Sequence, residues 1–230
     1  MGSLADIPLL RPLGPERLRA LDPRCRFLRY EANELIIDYD DASSDVYFVL
    51  SGKVRILYRA GTGKEVILGE LDGGEFFGEL AAIDGQARSA NVTALHRSEL
   101  CLMPGLVFIE LAEGQTEFNR ALLTVLSGRI RSLNARLAEQ AFLQARYRLF
   151  AELLRLSAPR PGGDGTRAIS PPPFHHDIAN RIGARREVVT RELSALEKAG
   201  LIEKGRGALV LKDPGELNRR ISAALDEPGG

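Results

Sequence analysis

The apolar positions change period three times along the chain, and each change marks a new kind of element. From Leu4 to Leu21 they come in short pieces cut by Pro8, Pro12 and Pro15. That pattern predicts a brief helical cap, since proline interrupts longer helices. From Cys25 to Met103 the period is two. Val46, Phe48 and Leu50 alternate with differently facing neighbours, and Val54 to Tyr58 and Glu65 to Leu68 continue a β-branched pattern. Turn residues punctuate it at Ser51-Gly52, Gly61-Thr62-Gly63, Asp72-Gly73-Gly74 and Asp84-Gly85. Many short strands at such spacing predict a small β-barrel or roll. Near Glu113 the period lengthens. Leu122, Leu126, Ile130, Leu133, Leu137 and Ala141 recur at three or four residues, with Arg129, Arg131, Arg136 and Glu139 between them. This predicts one helix of roughly 25–28 residues, longer than the average globular helix. Its stripe can pack on the roll, but a helix of this length more often finds a partner, and a second copy is the commonest one.

Gln144 to Leu156 read as a further helix, Ser157 to Gly165 as a flexible turn, and Thr166 to Ser170 as a strand stopped by Pro171 to Pro173. After Phe174, Ala179 and Gly183 allow a turn between two short helices. Val189, Leu193 and Leu196 form the buried face of the second, while Glu187, Thr190, Arg191 and Ser194 fall together on the other. This is the helix-turn-helix layout. Gly200 stops the second helix, Leu201 to Leu211 read as a glycine-tipped hairpin (a wing), and Asp213-Pro214 starts a last helix. Asp226 to Gly230 read as disordered. The fold class is α+β, divided as 1–113 roll, 114–143 long helix and 144–230 winged helix-turn-helix.

Composition narrows the field. The 230 residues are 44% hydrophobic and 27% charged, an ordinary soluble balance. Lys plus Arg and Asp plus Glu both number 31, so any nucleic-acid surface must be local. Cys25 and Cys101 stand apart with no metal-finger spacing, which reads as free thiols in a reducing compartment. No apolar run approaches a membrane span and no signal-peptide core is visible at the N-terminus, so a cytoplasmic protein is expected.

The densest chemistry lies in Phe77-Gly78-Glu79-Leu80-Ala81-Ala82-Ile83-Asp84-Gly85-Gln86-Ala87-Arg88-Ser89-Ala90. Gly78 and the residues after it can present bare backbone N–H groups to an anion. Arg88 offers a planar fork matched to phosphate, and Ser89 adds a donor. Glu79 is acceptor-only when ionised, so it suits a sugar hydroxyl or steadies Arg88. An anion beside a hydroxyl-bearing ring outlines a nucleotide. Spacing alone fits equally well a tight turn with Arg88 and Glu79 in a surface ion bridge.

In the helix-turn-helix region a neutral chain concentrates Arg181, Arg185, Arg186, Arg191, Lys198, Lys204, Arg206 and Lys212, which favours DNA over a helical hairpin used only for packing.

With these residues in view, Leu18 to Leu211 resembles the bacterial cyclic AMP receptor protein (catabolite activator) family of transcription regulators. Gly78-Glu79-Leu80 with Arg88-Ser89-Ala90, the helix end Ala141-Phe142-Leu143, and Arg186-Glu187-Val188-Val189-Thr190-Arg191 carry the resemblance. It implies a homodimer that binds cyclic AMP or cyclic GMP in the roll, recognises an inverted repeat of double-stranded DNA and works with RNA polymerase; no serine, cysteine or carboxylate pair forms a catalytic set, so an enzyme is not expected. It places Arg88, Ser89 and amides near Gly78, with Leu80, Ala81 and Ala90 around them, on the cyclic phosphate, Glu79 on the ribose 2′-hydroxyl, and Arg129 near the ligand. Leu133-Asn134 stand where cyclic-AMP-specific members carry a Thr-Ser pair facing the base, and the loop is one residue shorter than in the best-known member. Ala184-Arg185 replaces a usual Ser or Thr cap. DNA contacts fall on Arg185, Arg186, Glu187, Thr190, Arg191, Lys204 and Lys212.

Rival readings are weaker. An iron–sulfur sensor needs about four thiolates and the chain has two cysteines. Haem sensing needs an axial His or Cys, and His96 reads as a solvated loop residue. His175-His176-Asp177 hints at a metal hydrolase, but adjacent helical residues point roughly 100° apart, so no metal site is expected. A cyclic-nucleotide module acting on a protein partner, or a family member answering another effector, remains the alternative.

Overall fold

The computed structural model describes residues 3–61, 63–162, 165–205 and 207–226. Thr62 of the Gly61–Gly63 turn, Gly163 and Asp164 of the later turn, Arg206 at the wing tip and the terminal stretch after Asp226 lie outside the described residues. The chain forms two compact units, Met1–Ile130 and Arg131–Gly230.

In the first unit two short 3-10 turns and α1 (Gly14–Leu21) form the cap that the proline-cut pattern predicts. The roll follows: β1 (Arg26–Tyr30), β2 (Leu35–Ile37), β3 (Val46–Ser51), β4 (Lys53–Arg59), β5 (Glu65–Asp72), β6 (Phe76–Phe77), the short helix α2 (Glu79–Asp84), β7 (Asn91–Ala94) and β8 (Ser98–Met103). The strands make two antiparallel sheets, ordered β1-β8-β3-β6 and β2-β7-β4-β5. Helices α3 (Gly105–Gly114) and α4 (Thr116–Phe142) follow.

The period of two in β3 and β8 divides their side chains between two cores. Tyr47, Val49, Leu100 and Leu102 point between the sheets, with Phe77 and Val92. Val46, Phe48, Cys101 and Met103 point the other way, onto the cap, α3 and the start of α4, where Phe108 and Phe118 meet edge to face at 5.6 Å. A sheet buried on both faces makes β3 apolar along most of its length. Phe118 and Leu122 thereby seat the first turns of α4 on the roll.

The second unit holds the rest of α4, then α5 (Ala145–Leu156), β9 (Ala158–Pro159), β10 (Arg167–Ile169), α6 (His175–Ile182), α7 (Arg186–Lys198), β11 (Ile202–Gly205), β12 (Ala208–Leu211) and α8 (Pro214–Asp226). Its sheet runs β11-β12-β10-β9. Part of the stretch expected to be a flexible turn is therefore an edge strand: Ala158 and Pro159 pair with β10, and an edge is where a strand tolerates proline. Asp213 caps α8 as expected, its carboxylate accepting the Glu216 amide at 2.8 Å. Ile178, Ile182, Val189, Leu193 and Leu196 pack with Leu149, Leu153, Leu209 and Leu211 in one core.

Phe118 is fully buried, so Phe118→Ala should destabilise the first unit by about 3–5 kcal/mol through lost burial and an unfilled cavity. Urea denaturation checks this, and a loss below about 1 kcal/mol would mean that Phe118 does not anchor α4.

Candidate functional sites

The stretch Phe77 to Ala90 is more than a tight turn. Gly78 sits at φ +84°, and a Cβ there would lie 2.8 Å from both Arg88 Nη1 and the Asp45 carbonyl, so both conformation and space demand glycine. Glu79 opens α2, whose first turn carries no side-chain cap, and Gly85 closes it in the left-handed region.

Arg88 is 3% exposed. Its Nε donates to Ser43 Oγ at 3.0 Å, Nη1 to the Gly78 carbonyl at 2.9 Å and Nη2 to the Asp45 carbonyl at 2.8 Å. Its own backbone is clamped to Asp41 and Asp40. Among the described residues no carboxylate lies within ion-pairing distance of it, and burial pushes the guanidinium pKa down. Arginine nevertheless stays charged. The site thus holds a buried cation whose hydrogen bonds all go to neutral groups, with N–H groups to spare.

Glu79, 5% exposed, pairs instead with Arg129 of α4 at 2.8 Å. Arg129 also donates to the Phe76 carbonyl at 2.6 Å and lies over the Phe76 ring at 4.5 Å. This overturns the surface ion bridge between Arg88 and Glu79: both groups are buried and each has its own partners. The structure brings Gly78, Glu79, Arg88 and Arg129 together, with Ala81 and Ala90 buried beside them and Leu80 and Ser89 exposed. Leu133 and Asn134 are exposed on α4, within the second unit. Ser43, Asp45 and Phe76 were missed by sequence reasoning. The polar run Asp40-Asp41-Ala42-Ser43-Ser44-Asp45 between two strands was the available signal for the first two.

The α4 stripe needs one correction. Leu122 is 3% exposed and belongs to the roll's core, and Leu126 is partly buried against the same core. Leu123 at 58%, Ile130 at 58%, Leu133 at 55% and Leu137 at 69% are bare, as are Val125 and Phe142 on the same helix. The register Leu123, Leu126, Ile130, Leu133, Leu137 steps by three and four, a heptad seam, whereas Leu122 faces the same side as Phe118.

In the helix-turn-helix, Gly183 takes φ +61° and closes α6, with its amide bonded to the Ala179 carbonyl. Arg186, Glu187, Thr190, Arg191 and Ser194 line an open concavity of about 330 Å³ on the face of α7 away from the core. Arg185 precedes the helix in extended backbone, with no side-chain cap. Among the described residues neither Arg186 nor Glu187 is held in an ion pair, while Arg191 touches its neighbour Glu192 at 3.2 Å. Lys204 pairs with Glu197 and Lys212 with Glu203, each at 2.7 Å and exposed. Arg181 does not belong to this basic surface. It is buried and faces Glu152 at 3.5 Å, and Glu152 also bonds Arg155, so Arg181 serves an internal ionic cluster. Among the described residues no three His, Cys, Asp or Glu side chains converge as metal ligands. His176 instead stacks on Phe174, and His175 reaches Thr190. No helix is long and apolar enough to cross a membrane, among the described residues.

Residues 27–115 match the cyclic nucleotide-binding domain family, and residues 147–220 match the Crp-like helix-turn-helix domain family. The chain is 30% identical to the cAMP-activated global transcriptional regulator Vfr of Pseudomonas aeruginosa over 84% of its length and 94% of that protein. It is 30% identical to the cyclic AMP receptor protein of Thermus thermophilus over 96% and 95%. A CooA variant from Carboxydothermus hydrogenoformans shares the fold with a TM-score of 0.78 at 22% identity, over 96% of each chain. A roll with a buried arginine opposite no carboxylate, followed by a long helix and a winged helix-turn-helix, therefore belongs to the cyclic AMP receptor protein family of cyclic-nucleotide-responsive, DNA-binding transcription regulators.

Proposed function

We propose that this protein is a cyclic-AMP-controlled homodimer that reads an inverted repeat of DNA, with residues 1–113 as sensor, 114–143 as dimerisation helix and 144–230 as reader. The observation that carries the sensor role is the buried Arg88 guanidinium with no carboxylate partner. Three neutral acceptors hold its geometry, and the remaining N–H groups with Ser89 and the amides after Gly78 suit a cyclic phosphate. Leu80, Ala81 and Ala90 form the surrounding wall. Glu79 accepts from a ribose 2′-hydroxyl. That bond shares a carboxylate already held by Arg129, so site occupancy is felt at α4. Asn134 carries both donor and acceptor for a purine edge and Leu133 an apolar face. The names of the relatives favour cyclic AMP over cyclic GMP.

The exposed seam from Leu123 to Leu137 is assigned to the two-fold contact. On α7, Arg186 and Arg191 suit guanine O6 and N7, and Glu187 accepts from cytosine N4. Arg185, Lys204 and Lys212 serve phosphates, the two lysines by exchanging exposed carboxylate partners. Half-sites then lie about 34–36 Å apart, one helical turn. The ligand acts through its different affinities for two arrangements of the dimer. As a regulator of transcription the protein would work beside RNA polymerase in the cytoplasm.

Arg88→Leu should weaken cyclic AMP binding by about 2–5 kcal/mol, because the phosphate loses its charged partner in a desolvated site. Calorimetry is the check; equal affinity of variant and wild type removes Arg88 from the site, and no binding of either nucleotide to the wild type would falsify the sensor role. Ile130→Glu combined with Leu133→Glu puts like charges face to face across the seam and should give monomers in sedimentation. A persisting dimer moves the contact elsewhere. Glu187→Ala should relax one base position by about 1–3 kcal/mol and leave the others intact. Selection from random duplexes that returns the wild-type bases for this variant refutes the placement of Glu187 on DNA.

A further inference from the structure

Thr190 stands in the middle of the exposed face of α7, between Arg186 and Arg191, and its hydroxyl is engaged twice. Its Oγ1 donates to the Arg186 carbonyl one turn back at 3.0 Å, and Nδ1 of His175 lies 2.8 Å from the same oxygen. A hydroxyl has one hydrogen. With that hydrogen on the Arg186 carbonyl, the imidazole must be the donor, so Nδ1 carries a proton and Thr190 Oγ1 accepts it. The partial burial of His175, with Lys204 and Arg186 as nearby positive charges, pushes its pKa below the ordinary value. At neutral pH the ring is therefore neutral, in the Nδ1–H tautomer.

A free threonine hydroxyl can turn to donate to or accept from a base edge. Here that freedom is gone. What Thr190 offers outward is one lone pair and its methyl group. Adenine N6 and cytosine N4 present amino donors and thymine a methyl, whereas guanine presents only acceptors in the major groove. We propose that His175 is a positioning residue for sequence recognition: it locks the Thr190 hydroxyl as an acceptor, so the base facing Thr190 is selected for an amino or methyl group and against guanine. The inference rests on the DNA reading of α7 given above. It also separates the roles on that helix, since the guanine-seeking arginines flank a position from which guanine is excluded.

Selection from random duplexes with cyclic AMP present, run on full-length protein, tests it. Thr190→Val keeps the methyl and removes the acceptor, so the half-site position whose amino-bearing bases lose roughly tenfold in this variant is the one facing Thr190. At that same position His175→Ala frees the hydroxyl and should raise the acceptance of guanine by roughly tenfold, leaving the other positions alone. His175→Asn, whose side-chain amide can donate from a similar distance, should restore the exclusion. A purely structural role for His175 would lower affinity for all sequences alike, and that result overturns the inference. So does a wild-type base profile in either His175→Ala or Thr190→Val. Should His175→Ala fail to fold, His175→Phe, which keeps a ring there but offers no N–H, takes its place with the same expected gain of guanine, and a wild-type base profile in it overturns the inference. A wild-type protein that selects no inverted repeat overturns the DNA reading itself and this inference with it; an inverted repeat insensitive to His175 overturns the inference alone.

Discussion

A guanidinium taken out of water and hydrogen-bonded only to neutral groups is the constraint around which the first unit is arranged. Transfer of a charge into a protein interior is costly unless it is well bonded. Arg88 meets that demand with the carbonyls of Gly78 and Asp45 and the Ser43 hydroxyl. Each of those acceptors has to be delivered by a different piece of chain. Asp45 and Ser43 arrive on the loop before β3, and Gly78 arrives at the end of β6, which pairs with β3. The left-handed Gly78 cannot be exchanged, because a Cβ would sit on the very atoms it serves. The roll is thus a frame that holds one positive charge, buried, without neutralising it.

The guanidinium of Arg129 is held differently. Glu79 and Arg129 are a matched pair, with Arg129 further fixed by the Phe76 carbonyl and ring. One partner stands on the roll and the other on α4, which Phe118 and Leu122 anchor in the cap core. A polar change at Glu79 therefore reaches a helix whose outer seam is apolar and bare. The Glu79–Arg129 pair is thus the ionic tie between the roll and α4.

Much of this was legible in the sequence. The period of two predicts the roll because β3 and β8 alternate between two cores, and the Val189, Leu193 and Leu196 spacing predicts the buried side of α7 because nothing else on that helix is apolar at those steps. The Gly78-Glu79 and Arg88-Ser89 pairs pointed by residue type to the place where the structure buries Arg88 and Glu79. What stayed hidden depended on tertiary choice. Leu122 and Leu123 are neighbours of equal chemistry, and only the position of the cap core decides which faces the roll. Arg181 reads as one more basic group until Glu152, twenty-nine residues upstream, is seen beside it. The Glu79 partner lies fifty residues away on α4, too distant for spacing to reveal. The bond from His175 to Thr190 crosses between two helices, and no local signal points to it.

The central claim is that occupancy of the Arg88 and Glu79 site changes how tightly the dimer holds DNA. Fluorescence anisotropy on a selected inverted-repeat duplex, at one fixed salt concentration with and without saturating cyclic AMP, measures it most directly. The account predicts that the nucleotide tightens binding by about tenfold or more, a coupling of about 1.4 kcal/mol or more. Identical affinity in both conditions, with cyclic AMP shown to be bound, would contradict it.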